Sequence, residues 1–148
     1  MKKLINLLLF LISISSFSQQ KSTCDTWKNE EGKIVDFDKK IDFCKKTISK
    51  VDLKCKIEIF TSIANTYSYN YKIDSATSYF DKAINLSIKN RYNELLAASY
   101  SEKAYFLTNI AKLDEAEVLL KKAAQLFLKF PKSKNKISFY TATAYFAV

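Results

Sequence analysis

Large and small apolar side chains fall on a helical grid between residues 57 and 83. Phe60, Ile63, Ala64 and Tyr67 recur at three- and four-residue spacings, one face of a helix. Ile73, Ala76, Phe80, Ala83 and Ile84 repeat that spacing over the following stretch. A shift of forty residues reproduces the grid: Tyr100, Ala104 and Leu107, then Ala116, Leu120 and Ala123. A partial third copy reads Tyr140, Ala144 and Ala147. Alanine lets two helix backbones approach, and the rings fill the space beside them, which is how helices interdigitate without voids. Internal periodicity of this length signals stacked helical pairs.

The pattern predicts helices over about 36–49, 52–69, 74–89, 92–109 and 113–129, and a last one from about 134 to the end. Asp74 and Asp114 suit helix starts, where acidic oxygens meet unpaired N–H groups. Asn70, Asn90 and Asn109 sit near helix ends, where a left-handed residue is tolerable. Pro131 stops the fifth helix from continuing. One glycine, Gly32, and one proline in 148 residues leave little for hairpin-rich β folds or phosphate-cradling loops. Residues 19–35, with "KNEEGK", read as an exposed lead-in, and 36–148 as one repeat domain.

The small residue of the first helix (Ala64, Ala104, Ala144) is followed twelve residues later by Ala-x3-large, as Ala76 with Phe80 and Ala116 with Leu120. Ala83 and Ala123 close the pattern. This resembles the tetratricopeptide repeat family, over residues 57–148. The usual tryptophan is Phe60, Tyr100 or Tyr140, the usual proline after Ala83 is missing, and the period is forty rather than thirty-four. The resemblance implies an all-α, right-handed solenoid of helical hairpins, about two repeats with an extra helix at each end. It further implies a concave groove, lined by the first helices, that binds a peptide or protein segment. Carried over position by position, the groove presents Glu58, Thr61, Asn65, Ser68 and Tyr69, then Ser101, Tyr105 and Thr108, then Ser138, Thr141 and Tyr145. Tyrosines among small polar groups suit a peptide surface. Family members that clamp C-terminal carboxylates use Lys and Arg with Asn; here Thr61 and Tyr105 stand at two of those places, which leaves little to hold a carboxylate.

The chain opens "MKKLINLLLFLISISSFSQQ": two lysines, an eleven-residue apolar run from Leu4 to Ile14, then small residues. This is the layout of an export signal over 1–18, cleaved after Ser18, and too short for the ~20 apolar residues of a membrane span. The expected product is exported, to a periplasm or beyond. Three expectations attach to the apolar finish "FYTATAYFAV". The last helix caps the second repeat alone, or a partner or a second copy covers it, or the chain is the front piece of a longer protein. The third is favoured, because forty-residue repeats behind an export signal resemble the sensory regions of some bacterial membrane-anchored regulators.

The formal net charge is +9, two units of which lie in the leader as Lys2 and Lys3. The remaining lysines are dispersed, and Arg91 is the lone arginine. Nucleic-acid recognition favours arginine, so a solvated basic surface is expected rather than a nucleic-acid site. With no histidine, the commonest general base and metal ligand are missing. The acidic groups Glu30 and Glu31, Asp36 and Asp38, and Asp114 with Glu115 and Glu117 fall in loops or at helix starts, where capping explains them. Neither catalysis nor a cofactor nor a metal is expected. A small envelope enzyme or transporter accessory stands as the alternative class. Cys24, Cys44 and Cys55 allow one bridge and one free thiol. Cys44 and Cys55 lie symmetrically about Lys50, where one helix turns into the next, and are expected to pair.

Overall fold

The computed structural model describes residues 23–146, and among these there are helices and turns but no strand. The expected export signal, its expected cleavage point and Ala147 of the third grid copy lie outside the described residues. The helices are α1 over 23–31, α2 Phe37–Thr47, α3 Leu53–Tyr69, α4 Ile73–Lys89, α5 Asn93–Asn109, α6 Leu113–Phe127 and α7 Ile137–Ala144, with short 3-10 turns at Ile48–Lys50 and Lys134–Lys136. Among the described residues no helix is long and apolar enough to cross a membrane. The chain divides into two compact units, Met1–Cys55 and Lys56–Val148.

The first unit corrects two expectations. The lead-in is more ordered than expected: most of its described residues are exposed, but 23–31 is helical and Trp27 is only 4% exposed. An apolar ring of that size stabilises a short helix by burial where propensity alone would not. At its end, Glu31 pairs with Lys40 of α2 at 3.0 Å. The bridge joins Cys24 to Cys55, with Cα atoms 5.9 Å apart, and Cys44 is a buried thiol outside the bridge. Pairing Cys44 with Cys55 requires a tight turn about Lys50. Instead α2 runs on through Ile48–Lys50, and Val51 is extended at φ −122° and ψ 163°. Cys44 shares a buried face of α2 with Ile41 and Thr47, the place of a small core residue. Asp36 caps α2 by accepting from the Lys39 N–H at 2.8 Å, and Asp52 accepts from the Cys55 N–H at 2.8 Å.

From Leu53 onward the helices follow a twenty-residue beat. They begin at Leu53, Ile73, Asn93 and Leu113, and three of them run seventeen residues. Each connection ends in the same hydrogen-bond pattern. Lys72 N–H reaches Tyr67 C=O and Tyr71 N–H reaches Ser68 C=O; Tyr92 with Ser87, and Arg91 with Ile88, repeat it, as do Lys112 with Leu107 and Ala111 with Thr108. This is the Schellman closure of a helix, which places its next residue in the left-handed region. Those residues are Tyr71 (φ 56°), Arg91 (φ 55°) and Ala111 (φ 59°). They are not the asparagines. Asn70 and Asn90 precede the turn and donate their side-chain N–H groups to the Thr66 and Leu86 carbonyls, each at 2.8 Å.

The alanines of the grid are where close approach requires them. Ala64, Ala76, Ala104 and Ala116 are fully buried in one cluster with Phe80, Phe106, Leu107 and Leu120. Phe80 of α4 meets Phe106 of α5 at 5.5 Å between centroids, and Tyr67 of α3 stacks on Tyr79 of α4 at 5.7 Å. Helix α5 packs on α4, α6 and α7. The third copy of the grid shifts register. Ala142, not Ala144, is buried in the cluster, and Tyr140 is exposed. The segment from Leu128 through Pro131 to Lys136 breaks the seventeen-plus-three rhythm that fixed the earlier copies.

Candidate functional site

A cleft of about 350 Å³ opens in the second unit between α3, α5 and the start of α7. Ile57, Glu58 and Thr61 line it from α3. Leu95, Ala98, Ser99 and Glu102 line it from α5, at the three- and four-residue spacing of one helix face. Lys134, Asn135, Ile137 and Ser138 complete it. Seventeen-residue helices joined by three-residue connections return each chain direction beside the last, and this brings one face of α3 alongside one face of α5.

Glu102 organises the cleft. Its Oε2 accepts from Asn65 Nδ2 at 3.0 Å, and its Oε1 accepts from the Ser138 hydroxyl. One carboxylate therefore ties three helices. Thr61 donates back to the Ile57 carbonyl at 3.1 Å, so its O–H is already engaged.

The expected groove residues divide. Glu58, Thr61 and Ser138 line the cleft, and Asn65 binds its central carboxylate. Ser101 and Thr108 are corrected: both are buried, and their hydroxyls donate to the carbonyls of Ala97 (2.9 Å) and Ala104 (3.0 Å). Helix α5 packs on α4, α6 and α7, and Ser101 and Thr108 are buried there, whereas Thr61 and Ser68, forty residues earlier on α3, are half-buried. Tyr105 is half-buried against the alanine cluster. Tyr69 and Tyr145 are 72% and 57% exposed and do not line the cleft. Ser68 is half-buried, and Thr141 is exposed with its hydroxyl bonded to the Ile137 carbonyl at 3.0 Å.

Leu95, Ala98, Ser99 and Glu102 went unread in the sequence. The forty-residue carry-over points to positions 98, 101, 105 and 108, and Ala98 has no polar group to attract notice. The legible signal was the pairing of Glu102 with Asn65, a carboxylate and an amide on adjacent first helices. Compared with protein-family models, curated proteins and solved structures, the chain matches none.

Proposed function

We propose that the protein is an exported, tetratricopeptide-like scaffold that binds an extended peptide or protein segment in the α3–α5–α7 cleft and has no chemistry of its own. The observation that carries the reading is the composition of that cleft. Apolar walls from Ile57, Leu95, Ala98 and Ile137 alternate with Glu58, Thr61, Ser99, Asn135 and Ser138, all on or beside first helices of the repeat. Such mixed lining, a few directed polar groups on an apolar surface, suits a peptide. The repeat reading is supported by the buried alanine grid and by the twenty-residue beat of the helices. Export is supported by the Cys24–Cys55 bridge, since disulfides persist in oxidising compartments.

The test is a nuclear magnetic resonance titration of the isotope-labelled protein with a mixture of extended octapeptides. Shifts are expected to concentrate at 57–61, 95–102 and 134–138, and Leu95→Asp is expected to abolish them. Shifts confined to α4 and α6, or none, overturn the reading.

A further inference from the structure

A second surface of the repeat unit lies where α6 ends and α7 begins. We propose that this surface docks on an anionic phospholipid bilayer, with lysines of the Pro131 loop on the headgroups and Leu128 and Tyr140 in the interface. The proposal does not depend on peptide binding in the cleft. After Glu117 the sequence holds no Asp or Glu, whereas Lys121, Lys122, Lys129, Lys132, Lys134 and Lys136 follow. Lys121 is paired with Glu117 at 2.7 Å. Lys136 lies 5.6 Å from the centre of the Phe127 ring and donates to the Pro131 carbonyl at 3.2 Å. Lys129, Lys132 and Lys134 are exposed and, among the described residues, take part in no ion pair. Their charge is therefore available to an outside anion.

Apolar groups stand beside these charges. Leu128 is 82% exposed and Tyr140 60%. With Phe127, Pro131 and Phe139 they wall a notch of about 280 Å³. Phe127 and Phe139 meet edge-on at 5.8 Å between centroids, which fixes the two sides of the notch. Pro131 also lines a neighbouring hollow with Phe130, Lys132 and Lys134, so the apolar notch and the basic loop are continuous; Glu94 is the one carboxylate there. An exposed apolar patch rimmed by cations is the makeup of a surface that lies on a bilayer. Other anionic partners fit less well. The cations are all lysine, hydrated point charges suited to a diffuse headgroup layer, whereas nucleic acids favour the fork of arginine. A bare leucine gains nothing from a phosphate backbone but gains by leaving water for the acyl boundary. Tyrosine suits that boundary, with an apolar ring and a polar tip. Two copies meeting through this same face would bring their lysines together, which like charge opposes.

The experiment is co-sedimentation with vesicles, using the chain from Gln19 onward, since the apolar run of residues 4–14 would bind lipid by itself. One set of vesicles is phosphatidylcholine alone, and the other is phosphatidylcholine with one quarter phosphatidylglycerol. Binding is expected to the second set only, and to fall as salt is raised from about 0.1 M to about 0.5 M. Lys129→Gln with Lys132→Gln is expected to weaken binding about thirtyfold. Leu128→Gln with Tyr140→Gln is expected to weaken it about tenfold. Lys39→Gln with Lys45→Gln removes the same charge from exposed positions on α2 and is expected to change binding less than twofold. All six positions are exposed, and circular dichroism checks that each variant keeps its helices. No binding to either set, equal binding to both, or equal losses for the two lysine pairs overturns the proposal. So does a dimer in lipid-free sedimentation velocity that Leu128→Gln with Tyr140→Gln dissolves, because a second copy then covers this face. None of these outcomes bears on the cleft, which Lys129, Lys132, Leu128 and Tyr140 do not line.

Discussion

Asn65 of α3 donates its side-chain N–H to Glu102 of α5 across 3.0 Å, joining two helices through positions thirty-seven residues apart in the chain. Ser138 of α7 occupies the other oxygen of the same carboxylate. A partly buried carboxylate with two such donors is costly to remove, because both donors lose a charged acceptor at once. Glu102→Ala is therefore expected to destabilise the protein by about 1–3 kcal/mol in urea unfolding. Glu102→Gln, which keeps an acceptor, is expected to cost well under half of that. Equal losses for the two variants would show that side-chain packing, not the hydrogen bonds, holds these helices.

The turns offer a second test. Tyr71, Arg91 and Ala111 each adopt a left-handed conformation that side chains with a Cβ resist, at a cost of order 1 kcal/mol per residue. Glycine removes the clash. Ala111→Gly is expected to raise the melting temperature by a few degrees, since ~1 kcal/mol moves a domain of this size by about 2–8 °C. Tyr71→Gly and Arg91→Gly are expected to act in the same direction, and additively, because the three turns lie on separate connections. A fall in melting temperature for Ala111→Gly would mean that unfolded-state entropy outweighs the relieved strain.

Most of the second unit was legible because its signal is local. Apolar positions three and four apart place helices to within a residue or two, as at Leu53–Tyr69 and Asn93–Asn109 against expected 52–69 and 92–109. What escaped was set by neighbours. Ser101 and Thr108 read as groove residues by forty-residue analogy, but α5 packs on α4, α6 and α7 and they are buried. Trp27 was the overlooked clue in the lead-in: a lone tryptophan beside polar residues is seldom left in water. The left-handed turn positions carry no glycine, so the adjacent Asn70 and Asn90 were their only markers. The cleft was half legible, through Glu58, Thr61, Asn65 and Ser138, and its α5 wall was not.

The bridge makes a third prediction. Cys24–Cys55 closes a separation of thirty-one residues, which restricts the unfolded chain and contributes about 2–4 kcal/mol. Reduction, or paired replacement by Cys24→Ser and Cys55→Ser, is expected to lower stability by that order. Alkylation without reductant is expected to label Cys44 alone, and only after unfolding, because its thiol is buried. A cross-linked peptide containing Cys44 would overturn this pairing.

Register in the last helix gives the sharpest contrast between repeat arithmetic and packing. By a forty-residue offset Ala104 and Ala144 are equivalent, yet Ala104 is fully buried and Ala144 is exposed, with Ala142 in the core instead. A leucine at a filled notch forces backbones apart and typically costs about 1–3 kcal/mol. Ala104→Leu and Ala142→Leu are therefore expected to destabilise by that amount. Ala144→Leu, on an open face, is expected to stay within about 0.5 kcal/mol of the parent. If Ala144→Leu destabilises and Ala142→Leu does not, the helix keeps the forty-residue register, and the loop about Pro131 does not reset the stack. The comparison separates the two cases because both variants add the same side chain to the same helix, so propensity cancels and only the direction each position faces remains.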